Sequence, residues 1–180
     1  YIFNELLDQI DINKLNKIDD SILLFEWKSL KDMMWSKNCI ISPNRFIGNV
    51  QKVSSNKKIE LFSGFAQNDL PEFLIFLINC FHEALKRKVN MNITGKSINN
   101  TDKLAKKCYS MVKNMYSETY SELLNIFYGI HVSQITCMNE MKILSNTPES
   151  FNLISLPIPN SKQSTIYECF DLYTTRETLE

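Results

Sequence analysis

Gln67-Asn68-Asp69-Leu70-Pro71-Glu72-Phe73-Leu74-Ile75-Phe76-Leu77-Ile78-Asn79-Cys80-Phe81-His82-Glu83-Ala84-Leu85 is the stretch from which the rest of the chain can be read. Its periodicity predicts a buried helix with acidic groups at its mouth. Asp69 stands where an N-cap belongs, and Glu72, three residues on, predicts a capping box. Pro71 is tolerated near the start because first-turn N–H groups have no helical partner. Leu70, Phe73, Leu74, Leu77, Cys80, Phe81, Ala84 and Leu85 recur at i, i+3, i+4 and i+7. Ile75, Phe76 and Ile78 lie off that stripe and are also apolar, which predicts burial over most of the helix's girth. Lys86, Arg87 and Lys88 follow at the end where the helix dipole favours cations.

Working outward, Ile2, Phe3, Leu6, Leu7 and Ile10 show helical spacing within residues 1–15. Asp19-Asp20-Ser21 offers caps for a second helix, closed by Ser36-Lys37-Asn38. Its expected apolar face is Ile22, Leu23, Phe25, Trp27, Leu30, Met33, Met34 and Trp35. Ile41-Ser42-Pro43 opens a shorter helix through Phe46 and Val50, broken by the polar run 54–58. Leu61-Phe62-Ser63-Gly64-Phe65-Ala66 then leads into the central helix. The aromatic side chains of this half are read as core. On the far side, residues 89–103 are polar and Asn-rich, with Gly95, and predict a loop to which no function is attached. Leu104, Cys108, Met111, Val112 and Met115 predict another amphipathic helix. His131 to Thr136 alternates as a strand does, and Thr147-Pro148-Glu149 predicts a turn.

Composition sets outer bounds. A chain of 180 residues suits one domain with a sizeable core, or part of a larger one. Twenty basic and twenty acidic residues balance, which offers no overall electrostatic case for nucleic acid or an anionic membrane. Five cysteines, an odd number at irregular spacing, do not form a secreted disulfide framework. With no signal peptide and no apolar run of bilayer length, the expected setting is the cytoplasm, the nucleus or both. Asn92-Ile93-Thr94 matches a glycosylation sequon that has no meaning without a secretory route.

Gln67-x-Asp69-x-x-Glu72-Phe73-Leu74, followed by Leu77 and His82-Glu83-x-Leu85, resembles the second conserved box of ubiquitin-specific proteases, which are papain-like cysteine deubiquitinases. The family's version reads Gln-Gln-Asp-Ala-Gln-Glu-Phe-Leu, so this chain departs from it at Asn68, Leu70 and Pro71. Three further segments in the right order carry the same resemblance. Ser121-Glu122-Leu123-Leu124-Asn125-Ile126-Phe127-Tyr128-Gly129 is similar to the lead into the family's fingers. Phe151-Asn152-Leu153-Ile154-Ser155-Leu156-Pro157-Ile158-Pro159 is similar to its Phe-x-x-Leu-Ser-Leu-x-Ile-Pro strand. Tyr167-Glu168-Cys169-Phe170-Asp171-Leu172-Tyr173, with Glu177-x-Leu179, resembles the short helix and acidic segment that follow. The resemblance covers most of the chain, loosest before residue 22 and from 89 to 115. It implies an α+β fold: the helical thumb over residues 1–125, and over 126–180 the first strands of the fingers and palm of a papain-like cysteine protease.

The family's nucleophile belongs to an Asn-x-Gly-Asn-Thr-Cys-type box and its general base to a Gly-His-Tyr-type box. Neither occurs in these residues, and the chain is expected to begin just after the first and stop before the second. No substitute dyad is expected, so no catalytic residue is assigned. Cys80 and His82 are two apart on a helix, about 200° around it, and point away from each other. His131 and Cys137 share a strand face but lie about 20 Å apart at ~3.3 Å per residue. Cys39, Cys108 and Cys169 have no histidine nearby in sequence. Many family members also carry two Cys-x-x-Cys zinc knuckles. Here Cys137-Met138-Asn139-Glu140 keeps one cysteine and has glutamate at the second position, a degenerate remnant for which neither zinc nor any other cofactor is expected.

The resemblance implies that Asp69 and Glu72 meet arginines of ubiquitin's C-terminal tail, through charge-assisted hydrogen bonds that suit a guanidinium. Gln67 would line the tail channel, and Phe73 would be core. The local reading is that both carboxylates cap the helix, and one carboxylate can do both. The expected partners are ubiquitin and ubiquitinated proteins, with no nucleic acid and no membrane. The leading expectation is part of a thiol-dependent deubiquitinase. The alternatives are an inactive ubiquitin-binding or scaffolding module and an unrelated helical interaction domain.

Overall fold

The first element, α1 (Ile2–Gln9), fully buries Leu7 and sets Phe3 and Leu6 against the same core. A computed structural model describes residues 2–36, 40–64, 67–160 and 163–178. Tyr1, Lys37, Asn38, Cys39, Phe65, Ala66 and Leu179, weighed above, lie outside the described residues. After α1 comes a 3-10 turn, Ile12–Lys14, capped by the Asp11 carboxylate, which accepts from the Asn13 N–H at 3.0 Å. Helix α2 (Asp19–Met34) and helix α3 (Asn44–Asn56) follow, then a second 3-10 turn at Glu60–Phe62 and the central helix α4 (Leu70–Leu85).

Helix α2 packs on both α3 and α4. The core takes from it Leu23, Leu24, Trp27 and Leu30, one helical arc. The wider face expected from the sequence is not used: Phe25, Met33, Met34 and Trp35 are exposed, Trp35 at 77%. Trp35 already lies past the last turn, at the C-cap. Nor do Asp19 and Asp20 cap α2, whose N-cap is Ile18, without a side-chain bond. They occupy its first turn, where acidic groups suit the dipole. Asp19 accepts from the Asn56 amide at 2.6 Å, while Asp20 is buried 2.7 Å from the Lys57 ammonium.

Helix α4 spans the residues its periodicity predicts, but its buried arc is rotated. Phe76, Leu77, Cys80, Phe81 and Ala84 face the core, whereas Leu70 and Leu74 are exposed at 65% and 48%. Burial over most of the girth is therefore not observed, because the first turn projects beyond the cover of its neighbours. The far end is held from below: the Asn16 side-chain amide donates to the carbonyls of Glu83 and Lys86, at 2.8 and 3.0 Å. Those are carbonyls that a helix terminus leaves without helical partners.

Beyond α4 the backbones of Arg87 and Tyr120 bond to each other in both directions at 2.9 Å, an isolated antiparallel bridge. Arg87 also grips Glu122 with two hydrogen bonds, at 3.0 and 2.5 Å. This joint closes an excursion that contains α5 (Asn100–Tyr116), whose Asn99 and Asp102 form a full capping box. The short α6 (Leu123–Phe127) returns to the core, with Leu123 fully buried and Phe127 edge-on to Phe3 at 5.4 Å.

Strands β1 (Gly129–Cys137) and β2 (Lys142–Phe151) form an antiparallel hairpin running from the pair Gly129–Phe151 to the pair Cys137–Lys142. The turn is at 138–141, where Met141 takes a φ of 50°. Thr147-Pro148-Glu149, read from sequence as a turn, lies inside β2, with Pro148 opposite Val132. Each strand of a two-stranded sheet has an open edge, so a proline there need not break the ladder. Gly129 leaves room for the Phe151 ring, which would have to shift if a Cβ were added, since that atom would sit 2.5 Å away. The strand expected over 151–159 reaches only Phe151, and no further described strand pairs with the rest. Helix α7 (Ile166–Tyr173) starts at a capping box of Thr165 and Glu168. The class is α+β, and among the described residues no helix is long and apolar enough to cross a membrane.

Candidate functional site

The mouth of α4 is built by the two turns before it. Phe62, at the end of the second 3-10 turn, packs on Phe73 at 5.5 Å and on Phe76 at 5.0 Å. The Gln51 amide donates to the Gly64 carbonyl at 3.2 Å, tying α3 to the approach segment. Phe62 thereby becomes a ridge between two open grooves. One, of about 340 Å³, is lined by Phe46, Val50, Phe62, Asp69, Leu70 and Phe73. The other, of about 380 Å³, is lined by Ile59, Leu61, Phe62, Glu72, Ile75 and Phe76. The two carboxylates singled out from sequence thus stand on opposite flanks of one aromatic ridge.

Neither carboxylate is consumed by the helix. Asp69 has the extended N-cap backbone, φ −72° and ψ 133°, and its carbonyl accepts from the Phe73 N–H at 3.1 Å. Its side chain makes no capping bond, so the capping box predicted for Asp69 and Glu72 is not formed. Pro71 is part of the reason: it removes one of the first-turn N–H groups a cap would serve. Gln67, Asp69 and Glu72 are all exposed. Exposed carboxylates without a partner among the described residues, beside apolar grooves, can bind a cationic, partly apolar strand of polypeptide.

Among the described residues no cysteine is hydrogen-bonded to a histidine. Cys80 is 1% exposed, and burial first, then the hydrogen bond and charge of Asp20, push its thiol up to about 12. A thiol so held is a poor nucleophile. The His82 ring turns away: its Nδ1 bonds the fully buried Ser121 hydroxyl at 2.8 Å, and burial lowers its pKa. His131 stacks on Phe151 at 5.7 Å and its Nε2 meets Glu149 at 3.2 Å. Cys137 ends β1 and Glu140 is in the hairpin turn. Among the described residues no group of three or more His, Cys, Asp or Glu side chains is placed to hold a metal ion.

Sequence reasoning missed the Phe62 ridge and the Asp20–Lys57–Cys80 set. A signal for the ridge was present in the Phe62, Phe73 and Phe76 spacing. None marked Lys57, which lies within the polar run 54–58 and reaches Asp20 only through the tertiary fold.

The profile described as "Ubiquitin carboxyl-terminal hydrolase" matches residues 2–169. The chain belongs to that family. It is 26% identical over 167 residues to ubiquitin carboxyl-terminal hydrolase Usp2 of Drosophila melanogaster, covering 89% of this chain and 16% of the relative. It is 27% identical over 167 residues to ubiquitin carboxyl-terminal hydrolase 2 of Gallus gallus, covering 88% and 44%. With ubiquitin carboxyl-terminal hydrolase 4 of Eremothecium gossypii the identity is 24% over 159 residues, covering 85% and 18%. The chain therefore spans less than half the length of each of these curated relatives of the ubiquitin carboxyl-terminal hydrolase family.

Proposed function

We propose that this chain is the ubiquitin-tail-binding part of a thiol-dependent deubiquitinase, its helices forming the thumb of a papain-like fold and its hairpin the start of the fingers. The whole enzyme hydrolyses the bond after ubiquitin's terminal glycine by thiolate attack and an acyl-enzyme intermediate. Residues 1–125 form the thumb portion and 126–180 the start of fingers and palm. The nucleophile and its base come from sequence other than residues 1–180, since Cys80 and His82 are engaged elsewhere. The observation that carries the reading is the pair Asp69 and Glu72, exposed and unspent at the mouth of α4. Each faces a groove with apolar walls, so an extended tail can place arginines on the carboxylates and aliphatic side chains against Phe62 and its neighbours. Gln67 lies just before them and adds a polar contact to the same strand.

Titration of the chain with ubiquitin, read by fluorescence anisotropy, tests this. Asp69→Arg with Glu72→Arg should abolish measurable binding while circular dichroism is unchanged. Ubiquitin without its C-terminal tail should bind neither form. Equal binding by both forms would reject the tail-binding role. Reaction of residues 1–180 alone with ubiquitin vinyl sulfone would reject the placement of the nucleophile.

A further inference from the structure

The overall charge balance conceals a strong local segregation. Between residues 86 and 113 stand eight basic side chains against a single acidic one, Asp102. Elsewhere the chain holds 12 basic and 19 acidic residues, from totals of 20 and 20. Three of the eight are internally paired: Lys86 with Glu83 at 2.6 Å, Arg87 with Glu122 at 2.5 Å and Lys88 with Glu118 at 2.9 Å. Asp102 is committed to the α5 cap, and its bonds from the Ile98 and Asn99 N–H groups hold its pKa below the usual carboxylate value.

Of the other five, Lys96 precedes α5 and four stand on it. At ~100° per residue, Lys103, Lys106, Lys107, Ser110, Lys113 and Asn114 fall within about a third of the helix circumference. Leu104, Cys108, Met111 and Val112 occupy the opposite side. Helix α5 lies on β2, with the Lys107 ammonium bonded to the Asn146 carbonyl and the Tyr116 hydroxyl 2.5 Å from that of Ser150. Among the described residues Lys103, Lys106 and Lys113 have no carboxylate within ion-pair distance. Tyr109, 61% exposed on the same helix, and Ile98, 83% exposed just before it, offer apolar contact nearby.

We propose that this outward face of α5 docks an acidic segment of a partner polypeptide. Charge complementarity identifies the partner, and the extent of the patch limits it. Lys103 to Lys113 spans about 15 Å at ~1.5 Å per residue, the length of roughly five residues of extended chain. Three unpaired ammonium groups over that length match a short run of Asp and Glu. A long polyanion such as nucleic acid would have to continue over a surface that is net negative. The patch also has no arginine for the forked recognition of phosphate. A membrane surface is disfavoured because α5 packs on β2 and Leu104, Cys108, Met111 and Val112 are all half-buried, so they are not free to insert. Docking here is separate from the mouth of α4 and does not depend on the tail-binding role.

The test uses the whole chain and a fluorescein-labelled decaglutamate peptide, followed by anisotropy. Binding should be measurable at about 50 mM salt and weaken steeply by about 300 mM, as screening requires. The variant Lys103→Gln/Lys106→Gln/Lys113→Gln, which leaves Lys107 in place, should bind about tenfold or more weakly. The corresponding triple arginine variant should retain binding, and Lys14→Gln with Lys17→Gln should change nothing. Undiminished binding by the triple glutamine variant would overturn the proposal. So would tighter, α5-dependent binding of a thymidine oligonucleotide or of phosphatidylserine vesicles, and so would the absence of any peptide binding.

Discussion

Every fully buried side chain among the described residues lies at or before Leu124, with Leu7, Leu23, Ala84 and Leu123 all 0% exposed. From Gly129 onward no described residue is buried, and Ile135, Leu144, Ile158 and Tyr167 are 46%, 62%, 78% and 77% exposed. The difference is one of layers. Helices α1 to α4 and α6 cover one another, so each supplies a wall for the next one's stripe. The hairpin has α5 against β2 and no third strand among the described residues, and an isolated pair of strands is marginal in water. Helix α7 has well-formed caps and an apolar side but buries nothing. Regular secondary structure and a closed core are thus separate achievements, and only the helical region shows both.

The sharpest way to break this comparison is to remove a ring from each region. Phe81 is 3% exposed and stacks on Phe3 at 5.7 Å, with Trp27 at 6.2 Å. Phe81→Ala should cost about 3–5 kcal/mol in urea-induced unfolding. Phe170, on α7, is 43% exposed, and Phe170→Ala should stay within about 0.5 kcal/mol. Comparable losses in the two variants would mean that α7 is buried in solution and that the contrast is false.

These regions also differ in how far they could be read from sequence. The ends of α4 were legible because Asp69, Pro71 and the following periodicity agree locally. Which arc it buries was not, because Phe76 and Leu74 are both apolar and only the positions of α2 and α3 choose between them. The hairpin misled more. Thr147-Pro148-Glu149 has turn chemistry, yet the register of β1 carries it through as strand. The true turn, Met138-Asn139-Glu140-Met141, has no glycine to announce the positive φ at Met141. At the α4 mouth the residue types were legible, whereas the aromatic ridge dividing Asp69 from Glu72 needed the fold.

A smaller effect is expected where the two regions meet. His82 on α4 bonds Ser121, the residue from which the chain turns into α6 and the hairpin. Burial holds the imidazole below its ordinary 6.5, with Glu83 opposing that shift and Lys86 adding to it. The unfolded chain therefore takes up this proton at a higher pH than the folded one. Its contribution to stability is complete above the unfolded value, declines as pH falls below it, and levels off once the folded pKa is passed. Urea midpoints between about pH 7.5 and 5.5 should fall more for the native chain than for His82→Gln. Parallel declines would remove His82 as the source and leave the joint to Arg87 and Glu122.

The smallest expected change on stability is the most informative about the site. Helices α4 and α5 begin with the same kind of residue in the same extended backbone, yet they use it differently. The Asn99 side chain accepts from the Asp102 N–H at 2.8 Å, whereas Asp69 makes no such bond. Asn99→Ala should therefore cost about 1 kcal/mol, the usual worth of a cap. Asp69→Ala should cost no more than about 0.5 kcal/mol, as for a surface position. If Asp69→Ala proves as costly as Asn99→Ala, its carboxylate serves the helix in solution, and the case for an external arginine loses its main physical support. If it is nearly neutral, a carboxylate stands at a helix mouth, where the dipole favours it, without stabilising the fold by its own hydrogen bonds. Loss of ubiquitin binding in that same variant would then be a loss of recognition, with no folding defect to confuse it.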